Sequence, residues 1–157
     1  MNYVVREIRK DEYSLLDHFL YEAIFVPEGE EPPPVSIIWK PELQVYVDHF
    51  GEWKDDRGLV AEADGKIAGA VWVRIMDDYG HVDDETPSLI ISVEKEYRGL
   101  GIGTAMVKEM LSLLKKQGYQ RVSLSTQKAN YSVKMYLKAG FQVVEDKEDE
   151  YIMVCHL

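Results

Sequence analysis

Arg98-Gly99-Leu100-Gly101-Ile102-Gly103 lies between a β-branched run, Leu89 to Val93, and a segment, Thr104 to Gln117, that places Met106, Met110, Leu113 and Leu114 on one helical face. A strand that ends in glycines and opens a helix brings backbone amides to a positive helix N-terminus with no Cβ atoms in the way, which makes an anion site. The alternative is a tight strand-to-helix turn that needs glycine only for its dihedrals. A nucleotide-triphosphate loop requires a lysine after its last glycine, and none follows Gly103. A dinucleotide fingerprint requires wider spacing than Gly101 to Gly103 and an acidic residue ending the next strand, which is missing near Val122. His18, His49, His81 and His156 show neither the helical pair spacing nor the cysteine partners of a zinc site, so no metal is expected. Cys155 falls in the last expected strand, where a small buried thiol fits better than a nucleophile.

Hydrophobic spacing and turn residues give the elements around that glycine turn. Tyr3 to Arg9 reads as a strand, and Asp11 to Phe25 carries Tyr13, Leu16, Phe19, Leu20, Ala23 and Ile24 at helical spacing. Between Val26 and Lys40, Pro27, Pro32, Pro33 and Pro34 exclude helix and central strand, which predicts a surface loop. A short helix is expected from Pro41 to Phe50, flanked by Trp39 and Trp53. Leu59 to Ala63 and Lys66 to Met76 enclose Asp64-Gly65, a hairpin signal. An acidic loop, Asp77 to Glu85, precedes the Leu89 to Val93 strand, and Gly118 caps the long helix. Val122 to Ser125 is a further strand and Ser132 to Ala139 a helix closed by Gly140. Phe141 to Glu145 and Tyr151 to His156 form a terminal strand pair. This alternation predicts an α/β or α+β fold around one mixed sheet.

Composition narrows the classes. With 157 residues, 46% of them hydrophobic, the chain fits one domain that buries roughly 70% of its unfolded surface without disulfides or structural metal. Lys and Arg total 18 against 28 Asp and Glu, and the formal charge of -10 repels a phosphate backbone, so nucleic acid is not an expected partner. No apolar run approaches the roughly 20 residues of a membrane span. The charged start, Arg6, Glu7, Arg9, Lys10, Asp11 and Glu12, lacks a signal peptide's apolar region. A single cysteine forms no intrachain disulfide, so a reducing cytoplasm is the expected compartment.

The spacing Arg-x-x-Gly-x-Gly resembles the acetyl-coenzyme A pyrophosphate loop of the GNAT superfamily of N-acyltransferases. Upstream, Ile91-Ser92-Val93-Glu94-Lys95-Glu96-Tyr97 is similar to the family's central strand and its approach to the loop. Downstream, Asn130, Tyr136 and Gly140-Phe141 stand where the family's second motif has its asparagine, tyrosine and glycine-aromatic ending. The resemblance covers Leu59 to Leu157, while Met1 to Phe50 matches only in having a strand and two helices. It implies one domain over residues 1–157, with a mixed, splayed central sheet of about seven strands flanked by about four helices. Acetyl-coenzyme A is the implied cosubstrate, held by Ile91, Val93, Arg98, Gly99, Gly101, Ile102, Gly103, Thr104, Asn130 and Tyr136.

The resemblance also implies roles in acetyl transfer to a primary amine. The Ile91 amide would polarise the thioester carbonyl, Val93 would pair its backbone with the pantetheine, and the Tyr136 hydroxyl would protonate the departing thiolate. Tyr136 also reads as a core aromatic beside Val133. Some relatives carry a glutamate where Pro87 stands here, so the base must come from elsewhere. Glu85, Asp84 or His81 would act through water, or the amine would enter neutral. Glu28, Glu30, Glu31, Asp77, Asp78, Asp83 and Asp84 concentrate negative charge in two loops, which favours a small cationic acceptor; a protein N-terminus is the other acceptor class. A homodimer is compatible with the family. The competing class is an acyl-coenzyme A sensor that binds without turnover.

Overall fold

In the computed structural model, which describes residues 2–157, strands β1 (Tyr3–Glu7), β2 (Arg57–Ala63), β3 (Lys66–Arg74), β4 (Ser88–Val93), β5 (Arg121–Gln127), β6 (Gln142–Asp146) and β7 (Glu150–His156) form one sheet. Its order is β1-β2-β3-β4-β5-β7-β6. Neighbours run antiparallel except β4 and β5, which are parallel. Strand alternation divides the apolar residues between two faces. Leu59, Ala61, Val71 and Val73 pack with Ile102, Met106, Met110 and Leu114 of α3 (Ile102–Lys116) and with Tyr136 of α4 (Ser132–Ala139). The alternate residues Val60, Ala70 and Trp72 pack with Leu16, Phe19 and Leu20 of α1 (Leu15–Ala23) and with Ile38, Tyr46 and Phe50 around α2 (Pro41–Gln44). No helix among the described residues is long and apolar enough to cross a membrane.

Local chemistry explains the element ends. Asp64 at φ 53° and Gly65 at φ 76° make the two left-handed residues of a tight β2-β3 hairpin, as the sequence predicts. α3 closes through Gly118 at φ 89°, with Tyr119 N–H on the Leu114 carbonyl and Gly118 N–H on that of Lys115.

Three expectations in the first third of the chain are corrected. The helix expected over 11–25 is a 3₁₀ turn at Lys10–Glu12 followed by α1. The Val26 to Lys40 loop contains a 3₁₀ turn, Val35–Trp39, which buries Ile38 behind the prolines. The helix expected over 41–50 is regular only to Gln44 and continues as turns to Phe50, which a buried arginine braces. Arg74 Nη1 takes the Val45 carbonyl at 2.9 Å and the Asp48 carbonyl at 2.7 Å.

Arg74 is fully buried and organises that segment. Its Nε and Nη2 donate to the two oxygens of Asp56 at 3.0 and 2.9 Å, and Trp53 stacks on the guanidinium with 3.8 Å from centroid to Cζ. The Trp72 indole donates to the Tyr46 carbonyl at 3.0 Å. Tyr46 is thereby fixed on the sheet between two buried donors. Arg74→Met leaves the Asp56 carboxylate buried without its cation, so urea unfolding is expected to show a loss of about 3–5 kcal/mol.

Candidate active site

β4 and β5 meet at one register point, Ser88 opposite Ser123, where the Ser123 N–H donates to the Pro87 carbonyl at 2.9 Å. Past that point the strands part and a cleft of about 1090 Å³ opens. The Glu94 N–H donates to Ala68 on the β3 side. Since successive strand residues aim their backbone groups at opposite edges, Ser92 and Ile90 also face β3, while Ile91 and Val93 face the gap left by β5. The Ile91 amide is thus a donor aimed into the cleft.

The glycine turn forms the next wall. Gly99 at φ 77° and Gly101 at φ 84° are both left-handed, and a Cβ at either would meet no protein atom within 4 Å. Their surroundings are open, so a ligand can approach the backbone directly. The first intrahelical bond of α3 runs from Ala105 to Gly101, which leaves the amides of Ile102, Gly103 and Thr104 without helical acceptors at the positive end of a 15-residue helix. Gly103 lets the helix sit close: its Cβ position lies 3.5 Å from Met135 Sδ and 3.7 Å from Val93 Cγ2. A diphosphate fits this cradle. Arg98 turns back from it, with Nε on the Val93 carbonyl at 3.0 Å and Nη2 at 3.8 Å from Glu22, so its side chain ties the loop to β4 and α1.

α4 supplies the far wall. Asn130 Oδ1 accepts from the Ser132 N–H at 2.9 Å and starts the helix, while Tyr136 stands one turn further along, 7% exposed and edge-on to Phe141. Burial, with a smaller contribution from Tyr131, pushes the Tyr136 hydroxyl up, so it stays protonated and able to donate at neutral pH. Both residues line the cleft together with Ile91, Val93, Arg98, Gly99, Gly101, Ile102, Gly103 and Thr104. Ten residues read from the sequence therefore converge on one space.

Glu85 does not join them. It is exposed, its N–H donates to Asp83 Oδ1 at 2.8 Å, and its side chain lies outside the cleft lining. Asp83 pairs with Arg121, Asp84 is 97% exposed, and His81 holds the Met76 carbonyl at 2.8 Å. Trp39 and Trp53 also stand outside the lining. The acidic residues that do face the cleft are Glu22, Glu28, Glu30, Asp78 and Glu150. Asp78 is the one sequence reasoning did not single out within its run. It is half-buried and its Oδ1 accepts from the Ser88 hydroxyl at 2.9 Å, with the Tyr46 hydroxyl and the Gly80 N–H nearby. Burial raises its carboxyl above the ordinary range although these three donors favour the ionised form. No cluster of metal-ligating side chains occurs among the described residues.

Comparison with known proteins gives this arrangement its family. A profile of the acetyltransferase (GNAT) family matches residues 11–141. The N-alpha-acetyltransferase of Sulfurisphaera tokodaii is 30% identical over 128 residues, 71% of this chain and 75% of that protein. Other curated relatives are matched over as little as 28% of their own length. The PaiA N-acetyltransferase of Thermoplasma acidophilum, solved with coenzyme A, has the same fold at a TM-score of 0.72 and 20% identity over 100% of both chains. The ribosomal-protein-S18-alanine N-acetyltransferase of Escherichia coli follows at 0.69 and 16% identity over 99% of this chain and 94% of that one. The chain belongs to the GNAT family of acetyl-coenzyme A-dependent N-acetyltransferases.

Gly101→Asp puts a strained backbone and a negative side chain in the cradle, each costing on the order of 1 kcal/mol or more, so calorimetry is expected to show acetyl-coenzyme A binding weakened at least roughly tenfold. Arg98→Ala is expected to weaken it less, since the amides remain; equal affinity of Gly101→Asp and wild type would remove the cradle assignment. Tyr136→Phe is expected to lower kcat roughly 100-fold with cofactor affinity unchanged. An unaltered kcat would leave Tyr136 a packing residue only.

Proposed function

We propose that this chain transfers the acetyl group of acetyl-coenzyme A to a small cationic primary amine by direct attack on the thioester. The observation that carries this reading is the composition of the cleft: free backbone donors at Ile91 and the start of α3 on one side, and the carboxylates of Glu28, Glu30, Asp78 and Glu150 around the rest. The donors fit a diphosphate and a developing oxyanion. The carboxylates lower the energy of an ammonium entering between them. Acetyl-coenzyme A supplies the activated acyl carbon. The Ile91 amide orients and polarises its carbonyl, Gly99 to Thr104 hold the diphosphate, and Tyr136 gives its hydroxyl proton to the departing sulfur.

Only part of the negative charge seen in the sequence bears on this acceptor. Asp83 and Asp84 lie outside the cleft, whereas Glu28 and Glu30 are exposed on its rim. Their attraction for an ammonium is screened over about 8 Å at physiological salt, so it is expected in KM rather than in kcat. Glu28→Gln with Glu30→Gln should raise KM several-fold for a polyamine, with the effect vanishing at high salt. A neutral-side-chain amino acid or a peptide N-terminus should respond much less. An equal change for all acceptors would discard the cationic-amine reading in favour of a protein N-terminus.

A further inference from the structure

Acetyl transfer to an amine needs somewhere for the ammonium proton to go, and Pro87, immediately before β4, has no side chain to take it, its carbonyl being bound by the Ser123 N–H. Among the acidic side chains of the 77–85 loop, Asp78 alone lines the cleft. It sits on the face of β4 that carries Ser88 and Ser92, the face packed by α1, where the Ser92 hydroxyl reaches the Phe19 carbonyl at 2.7 Å. Glu28, Glu30 and Tyr46 line the same cleft.

Resting on the acetyl-transfer reading, we propose that Asp78, held by the Ser88 hydroxyl at the acceptor end of the cleft, takes up the proton the amine must lose, through bridging water. Ser88 lies three residues along β4 from Ile91, about 10 Å at the rise of a strand, so water spans the remaining distance. The proton balance is complete without another reactant. R–NH₃⁺ gives one proton to the Asp78 carboxylate, the freed lone pair forms the N–C bond, and the C–S bond breaks as the tetrahedral centre collapses. The second nitrogen proton replaces, through water, the one Tyr136 gives to the sulfur, and the proton held by Asp78 leaves to solvent, one per turnover.

The surroundings of Asp78 suit this task. From the segment after α2 it faces the Tyr46 hydroxyl, itself pushed up by burial and by the Asp78 charge, and therefore a firm donor. From β4 it faces Ser88 and from its own loop the Gly80 N–H, while the carboxylates of Glu28 and Glu30 line the same cleft. Its carboxyl titrates above the ordinary range, which makes the ionised form a stronger proton acceptor than an exposed aspartate. The sign follows: activity is lost as pH falls through that raised value, and is present above it.

The test compares pH profiles with one polyamine as acceptor. Asp78→Asn is expected to lower kcat roughly 100-fold at neutral pH while leaving amine KM and acetyl-coenzyme A affinity near wild type. The deficit should shrink toward alkaline pH, where the amine is neutral in solution, and Asp78→Glu should recover part of kcat. Tyr46→Phe deletes a nearby hydroxyl that favours the carboxylate, so its acid limb should move to higher pH. A raised KM with kcat unchanged at every pH makes Asp78 an ammonium anchor, and a deficit undiminished at alkaline pH makes it structural; either overturns the proposal. Wild-type protein that binds acetyl-coenzyme A but releases no thiol with any amine at any pH overturns instead the acetyl-transfer reading beneath it.

Discussion

The parallel pairing of β4 with β5 at a single register point is the constraint from which the site follows. A paired sheet edge would consume the Ile91 and Val93 amides in ladder bonds; a parted one leaves them aimed at a gap with a ligand or water as the only partners. Parting costs ladder bonds in the middle of a seven-stranded sheet, and the fold compensates on both sides. β3 holds β4 over Gly69 to Arg74, and β7 holds β5 over its whole length, so neither strand needs the other to stay in place. The gap is then walled by α3 and α4, whose first turns converge at Gly103 and Met135.

The two faces of the sheet divide the labour. The α3 face carries the donors for an anionic cosubstrate, with an apolar cluster packed behind them. The α1 face carries a polar network built on Arg74. Its guanidinium satisfies Asp56 and the Val45 and Asp48 carbonyls, and so braces the turns after α2 that lay Tyr46 against the sheet. Trp72 fixes the Tyr46 backbone, and the Tyr46 hydroxyl meets Asp78. A buried ion pair some distance from the chemistry thus sets the position of a side chain in the cleft.

Much of this was legible in the sequence because it depends on local rules. Gly99 and Gly101 needed left-handed backbone, Asp64-Gly65 dictated the hairpin, and the Met106, Met110 and Leu114 spacing placed α3 within two residues of its observed start. The cofactor side of the site used backbone amides, whose position follows once strand and helix are known. The acceptor side was not legible in the same way. In the run from Asp77 to Glu85 charge alone gives no sign of which carboxylate turns inward: Asp77 is exposed, Asp78 half-buried, and Glu85 outside the cleft. What selects Asp78 is contact with Ser88 and with Tyr46, 32 positions earlier in the chain, and no local spacing encodes that. The bracing of the turns after α2 was hidden for the same reason, since Arg74 lies in a strand far along the chain.

Amide hydrogen exchange at Ile91, followed by NMR in the free protein and with saturating acetyl-coenzyme A, probes the open edge of β4 directly. Ser92, whose amide faces β3 in both states, serves as the internal reference for any general gain in stability. The expected result is a slowing of Ile91 exchange by far more than that of Ser92, as its N–H acquires an acceptor in the cleft. Slow exchange at Ile91 in the free protein, or equal slowing at both positions on binding, would contradict a thioester seated on that edge.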